Sequence, residues 1–161
     1  MMRGIKLALL SFLIFILEYG MAKYIAIGAA VPMLTFCYII IVAMYEKNRE
    51  TSLILALLTG AVCDLAGGHG FGTYTVVYGI TAWVTGLFCD SILSSKFLFM
   101  VINTFIMTLF SQTIYFLFHI IEIGANAFGR NFTNIMLPIA VYNVVVAVIM
   151  YKPLKSIFER R

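Results

Sequence analysis

The chain has 161 residues, of which 63% are hydrophobic and only 11% charged, with a mean hydropathy of +1.03. Soluble domains are about half apolar and a quarter charged, so this balance excludes an ordinary globular domain. A membrane-spanning helix needs about 20 apolar residues, so six would use roughly 120 and leave only ~41 for loops and tails, which excludes a separate soluble catalytic domain.

The net charge of +4 does not point to nucleic acid, because the Lys and Arg residues punctuate apolar segments instead of clustering with aromatics on a soluble face. Cys37, Cys63 and Cys89 sit singly in apolar stretches, with no CxxC spacing and an odd count, and read as small packing residues.

Taken in chain order, the apolar runs predict six spans in a single integral membrane domain covering residues 1–161. The first, about 5–22, follows Arg3 and Lys6; with no small-x-small cleavage site after it, it reads as a retained span and not a signal peptide. The second, 25–45, is interrupted by Gly28 and Pro32. The third is 51–66, the fourth 73–93, the fifth 97–123 and the sixth 135–151. A glycine-rich turn, Gly67-Gly68-His69-Gly70-Phe71-Gly72, joins spans three and four; a tight outer hairpin is favoured there over a re-entrant loop.

Charge sets the orientation. With the N-terminus inside, Arg3, Lys6, Lys47, Arg49, Lys96, Lys152, Lys155, Arg160 and Arg161 fall on the inner side, against Lys23 and Arg130 outside. Such asymmetry over short loops places both termini in the cytoplasm and requires an even number of spans.

Polar residues trace seams along two spans. In span five, Thr104, Thr108, Ser111, Tyr115, His119 and Glu122 recur at steps of three and four, on one helix face, flanked by Asn103 and Gln112. In span four, Tyr74, Tyr78, Thr81 and Thr85 do the same. Such groups bond between helices in hydrocarbon, at about 0.6–2 kcal/mol each. His119 and Glu122 fit a solvated interfacial role better than a proton relay. Ala56-xxx-Gly60 and Ala82-xxx-Gly86 fit close helix approach.

The most specific local feature is Gly60-Ala61-Val62-Cys63-Asp64-Leu65-Ala66 before the glycine turn. An Asp near a helix end in lipid needs partners. Asp64 is expected to accept hydrogen bonds from the amides of Gly67 to Gly70 and fix the turn. On that basis Asp64→Ala should lose stability and Asp64→Asn largely restore it. An aspartyl dyad of Asp64 with Asp90 fails on depth: the helix from Thr73 to Asp90 separates them by ~25 Å, whereas a dyad needs about 3 Å. There is no Gly-x-Ser-x-Gly elbow, zinc helix or phosphate loop, and His69 and His119 stand alone. No catalytic residue, cofactor or metal is expected, and no enzymatic activity.

Gly28-xxx-Pro32, the charged turn after span two, Gly60-xxx-Asp64-Leu65, Gly70-Phe71-Gly72, Tyr78, Leu137-Pro138, Tyr142-Asn143 and Tyr151-Lys152-Pro153 together resemble the rod shape-determining protein MreD family, over nearly the whole chain. Two positions depart from that pattern: Met33, where the family often carries an acid after the proline, and His69. The structural or interaction positions singled out are Pro32, Gly60, Asp64, Gly67, Gly68, Gly70, Gly72, Tyr78, Gly86, Thr108, Tyr115, Pro138 and Asn143.

The resemblance implies an all-α, polytopic bundle of about six transmembrane helices, similar to the S-components of energy-coupling-factor transporters. It implies a multi-pass protein of the bacterial cytoplasmic membrane, acting as a non-enzymatic scaffold of cell elongation. Its partners would be an MreC-type single-span protein and, indirectly, MreB filaments and wall-synthesis enzymes; homo-oligomerisation stays open. The alternative is a vitamin-binding transporter subunit. Its expected Ala-xxx-Ala is missing from Ala8-Leu9-Leu10-Ser11-Phe12 in span one, while Tyr74, Tyr78 and Tyr115 keep it alive.

Overall fold

A computed structural model describes residues 2–26, 30–67, 72–89, 95–118 and 128–159. Among the described residues there are helices and connecting turns but no β-strand. The helices are α1 (Met2–Ile25), α2 (Leu34–Tyr45), α3 (Arg49–Gly67), α4 (Thr73–Phe88), α5 (Lys96–Phe118), the single turn α6 (Phe128–Asn131) and α7 (Leu137–Glu159); a π-helical turn, Phe132–Met136, joins the last two. Four stretches are long and apolar enough to cross a bilayer: Gly4–Met21, Arg49–Gly67, Lys96–Phe118 and Phe128–Phe158. Helices α2, of 12 residues, and α4, of 16, are shorter.

Every residue of α2 from Thr35 to Met44 is buried, so this helix is the axis around which the others pack. It touches α1, α3, α4, α5 and α7. By contrast α1, with only 17% of its spanning window buried, runs along the outside and turns Ile5, Leu9, Phe12, Leu13 and Ile16 outward. In a lipid-embedded protein such faces are the ordinary solvent-side, with tails in place of water.

Two elements differ from expectation, one because of a proline and one in spite of it. The span expected over 25–45 becomes helical only at Leu34, and α1 instead continues to Ile25. Pro32 has no N–H to give and disfavours the helical region for Val31, so the chain enters α2 extended, with Met33 at φ −101°, ψ 82°. The last span, expected to stop at Tyr151, runs through Pro153 to Glu159. An interior proline costs about 3 kcal/mol, and here the continuation buries Leu154 and stacks Phe158 on Tyr45 at 5.7 Å. At the other end of that helix the π turn closes with an i→i−5 bond from the Leu137 N–H to the Phe132 carbonyl, immediately before Pro138. Pro138, which has no N–H to give, thus sits inside a continuous helical stretch directly after the point where the bonding is widened.

The bundle has two ends. At one, α1 and α3 finish, α2 and α4 begin, and α5 finishes; this is the Asp64 end. At the other, α2 and α4 finish, α3 and α5 begin, and α7 finishes; this is the Arg49 end.

Candidate functional site

Helices α2 and α4 both begin at the Asp64 end, and neither has a side-chain cap of its own. The first N–H groups of a helix have no intrahelical acceptor and carry the positive end of its dipole, so a carboxylate there is doubly favoured. Each of these helices receives one from a neighbour. From α3, Asp64 accepts the Tyr74 N–H on Oδ1 at 2.8 Å, and on Oδ2 the Thr75 N–H at 3.0 Å and the Thr75 hydroxyl at 2.6 Å. From α1, Glu18 accepts both the N–H, at 2.7 Å, and the hydroxyl of Thr35 on Oε2. With Gly72 and Met33 as the respective N-caps, these amides lie in the first turn of each helix. The described donors to Asp64 are thus at the start of α4; of the expected ones, Gly67 closes α3, and Gly68 to Gly70 lie outside the described residues.

Gly60 makes that reach available. A Cβ on Gly60 would stand 2.6 Å from the Thr75 Cα and 2.7 Å from the Tyr74 carbonyl oxygen, so only glycine lets the first turn of α4 lie against α3 at this height. Gly72, at φ +104°, turns the chain into α4 in the left-handed region that favours glycine. Ala56 of the same small-residue pair is fully buried. Gly86, by contrast, makes no close approach: the nearest atom to an added Cβ is the Ala43 carbonyl oxygen at 3.9 Å.

Between the two capped helix starts lies a cavity of about 280 Å³. Glu18, Tyr19, Tyr74, Tyr78, Gln112 and Tyr115 supply its polar wall, and Pro32, Met33 and Ile139 its apolar one. Tyr78 is buried, its ring 5.3 Å from Phe36 and 6.0 Å from Tyr74. Beneath the cavity, Asn143 ties three elements together. Its Oδ1 accepts the Met33 N–H at 2.8 Å, its Nδ2 donates to the Thr108 hydroxyl at 3.2 Å, and its carbonyl accepts from Cys37 Sγ at 3.3 Å. The Met33 amide left over by Pro32 is thereby satisfied. The Met33 sulfur meets Gln112 Nε2 at 3.6 Å, so the position where an acid is absent still makes polar contacts, and the carboxylate of this region comes instead from Glu18 on α1.

Of the sequence-selected residues, Pro32, Tyr78 and Tyr115 line the cavity, Thr108 and Asn143 support it, Gly60, Asp64 and Gly72 seat α4, and Gly86 lies at the opposite end. The two polar seams face inward. Thr81, Thr85, Thr104, Thr108 and Ser111 are buried, and Asn103 donates to Thr85 at 2.8 Å, one seam to the other. His69, His119, Glu122 and Asp90 lie outside the described residues.

Glu18 and Gln112 were not foreseen as cavity residues, nor was the 2.7 Å bond between the Ser11 and Thr59 hydroxyls. A signal existed for Glu18: an acid inside an apolar span is expensive and so functional or paired by default. Cys37, Cys63 and Cys89 are buried and free, and among the described residues no three of His, Cys, Asp and Glu gather as a metal site would require.

Fold and site define an all-helical membrane protein whose inward-facing carboxylates and amides hold helices in register around a cavity. Residues 3–161 match the family described as rod shape-determining protein MreD, and the chain belongs to that family. No curated protein and no solved structure matches it.

Proposed function

We propose that this chain is a non-enzymatic scaffold of the bacterial cell-elongation machinery, embedded in the cytoplasmic membrane by six spans with both termini inside. It binds an MreC-type single-span protein and so helps to couple MreB filaments to peptidoglycan synthesis. Family membership supplies the role in shape. The observation that carries the scaffold reading is the use made of the two carboxylates: Glu18 and Asp64 both serve as acceptors for a neighbouring helix's first turn. A carboxylate committed to amide donors is a poor general base, whereas a polar cavity with fixed walls suits binding.

Under this reading the cavity at the Asp64 end is extracytoplasmic and receives the membrane-proximal segment of the partner. Its mixed wall of tyrosines, Gln112 and apolar residues fits a peptide that brings both kinds of side chain. The alternative, a vitamin-binding subunit of a transporter, draws on the same four tyrosines, Tyr19, Tyr74, Tyr78 and Tyr115, which suit a flat aromatic ligand.

One experiment separates them. A photo-crosslinking residue at Gln112 or Tyr19, in the protein expressed in its own membranes, is expected to capture a single-span protein with a large extracytoplasmic region. Co-purification of a second membrane subunit with paired ATPases, and no such crosslink, overturns the scaffold in favour of transport.

A further inference from the structure

The Arg49 end holds a second, larger cavity of about 640 Å³. It is built where α2 and α4 finish, α3 and α5 begin and α7 ends, so five helices contribute to it. Lys47, Arg49, Lys96 and Lys155 stand around it with a single carboxylate, Glu46, among the described residues. Its floor is apolar and buried: Ala43, Met44 and Cys89.

Two of the cations lie over aromatic rings. The Lys96 ammonium lies 5.5 Å from the centroid of Tyr45, and that of Lys155 lies 5.8 Å from Tyr151. The two tyrosines share a 2.7 Å hydroxyl–hydroxyl bond, Phe158 stacks on Tyr45, and Phe97 meets Tyr151 edge-on at 5.4 Å. Tyrosines gathered at one level of a membrane helix bundle mark the headgroup zone, and a cation set beside them at that level meets lipid phosphate. The same end of the bundle turns Phe88, Phe97, Leu98 and Ile157 outward, an apolar skirt for acyl chains.

We propose that this cavity binds the phosphate headgroup of an anionic phospholipid, with the phosphodiester among Lys47, Arg49, Lys96 and Lys155 and the acyl chains along the exposed apolar residues of the rim. Positive potential selects the phosphate, and the apolar floor and skirt select a lipid over a water-soluble ester or an acidic peptide. A bound lipid would join the ends of α2, α4 and α7 to the starts of α3 and α5.

The test uses the full-length protein in a neutral detergent, by native mass spectrometry, with phosphatidylglycerol titrated against phosphatidylcholine. Phosphatidylglycerol is expected to bind in preference, and each lost cation to weaken it about fivefold, so that K47Q/R49Q and K96Q/K155Q each lose about 25-fold. Lys152→Gln, exposed on α7 but outside the cavity, is the control and should bind as the parent does. Thermal unfolding in phosphatidylcholine checks that the variants are folded; for any that is not, charge-conserving Lys→Arg replacements must retain the lipid. Equal loss in Lys152→Gln, or undiminished binding in both double variants, overturns the proposal. So does competition at equal concentration by glycerol phosphate, which lacks chains, or by an acidic peptide.

Discussion

The two ends of this bundle are built on opposite principles. At the Asp64 end, negative side chains are used up inside the protein: Asp64 and Glu18 each cap the start of a neighbouring helix, and Asn143 closes the gap left by Pro32. At the Arg49 end, positive side chains surround a cavity, and two of them, Lys96 and Lys155, lie over aromatic rings. The first end is cemented by directional bonds in a medium without water, where each has few substitutes. The second is held by stacked rings and carries the positive charges that the proposed phospholipid would meet. Substitutions should therefore cost stability at one end and association at the other.

The sharpest way to break the contrast is Asp64→Ala, which strips three donors of their acceptor at once. A loss of about 3 kcal/mol is expected, read as a lowered unfolding midpoint in micelles. Asp64→Asn, expected from the sequence to restore most of it, should recover only part, because the carboxylate uses both oxygens and an amide presents one. Full recovery would mean that one of those bonds contributes nothing.

Asn143→Ala comes next, at about 2 kcal/mol, since it orphans the Met33 N–H in the interior. Asn143→Asp, which keeps the acceptor for Met33 but loses the donor to Thr108, should separate the two halves of that contact in the same assay.

Gly60→Ala is expected to cost about 1–2 kcal/mol net, the backbone of Thr75 having to retreat while alanine returns some helix propensity. Because the retreat pulls Thr75 from Asp64, the double variant with Asp64→Ala should cost less than the two singly, a coupling that a double-mutant cycle measures. The smallest effect is Tyr45→Phe at the Arg49 end, about 0.5 kcal/mol from one hydroxyl bond. A loss there as large as that of Asp64→Ala would erase the distinction between the ends.

Much of this was legible in the sequence, for a definite reason. Polar residues on one face of an apolar helix recur every three or four positions, so the seam of Thr104, Thr108 and Ser111 and that of Thr81 and Thr85 announce their inward direction locally. Asp64 beside a run of glycines is likewise a local signal, and the described donors to it lie ten and eleven residues on. What could not be read is what depends on distant pairing. Glu18 is a single acid with no periodicity, and its partner Thr35 belongs to another helix. Whether Gly86 lets a backbone approach or merely borders a void depends on the packing of α2, which Ala82-xxx-Gly86 does not encode. The start of α2 was misplaced because apolar composition runs unbroken through a segment that Pro32 keeps extended.

The buried position of α2 has a consequence for how the protein is made. Translation delivers this short helix second, yet it has no lipid-facing side, and the Met33 amide at its entry waits for Asn143, 110 residues downstream. A nascent chain that has released α1 to α5 still lacks the helix that completes the wall around α2. Final seating of the central helix is therefore expected only after the last span emerges, and truncations at the C-terminus should leave a chain that inserts but is cleared by membrane proteases.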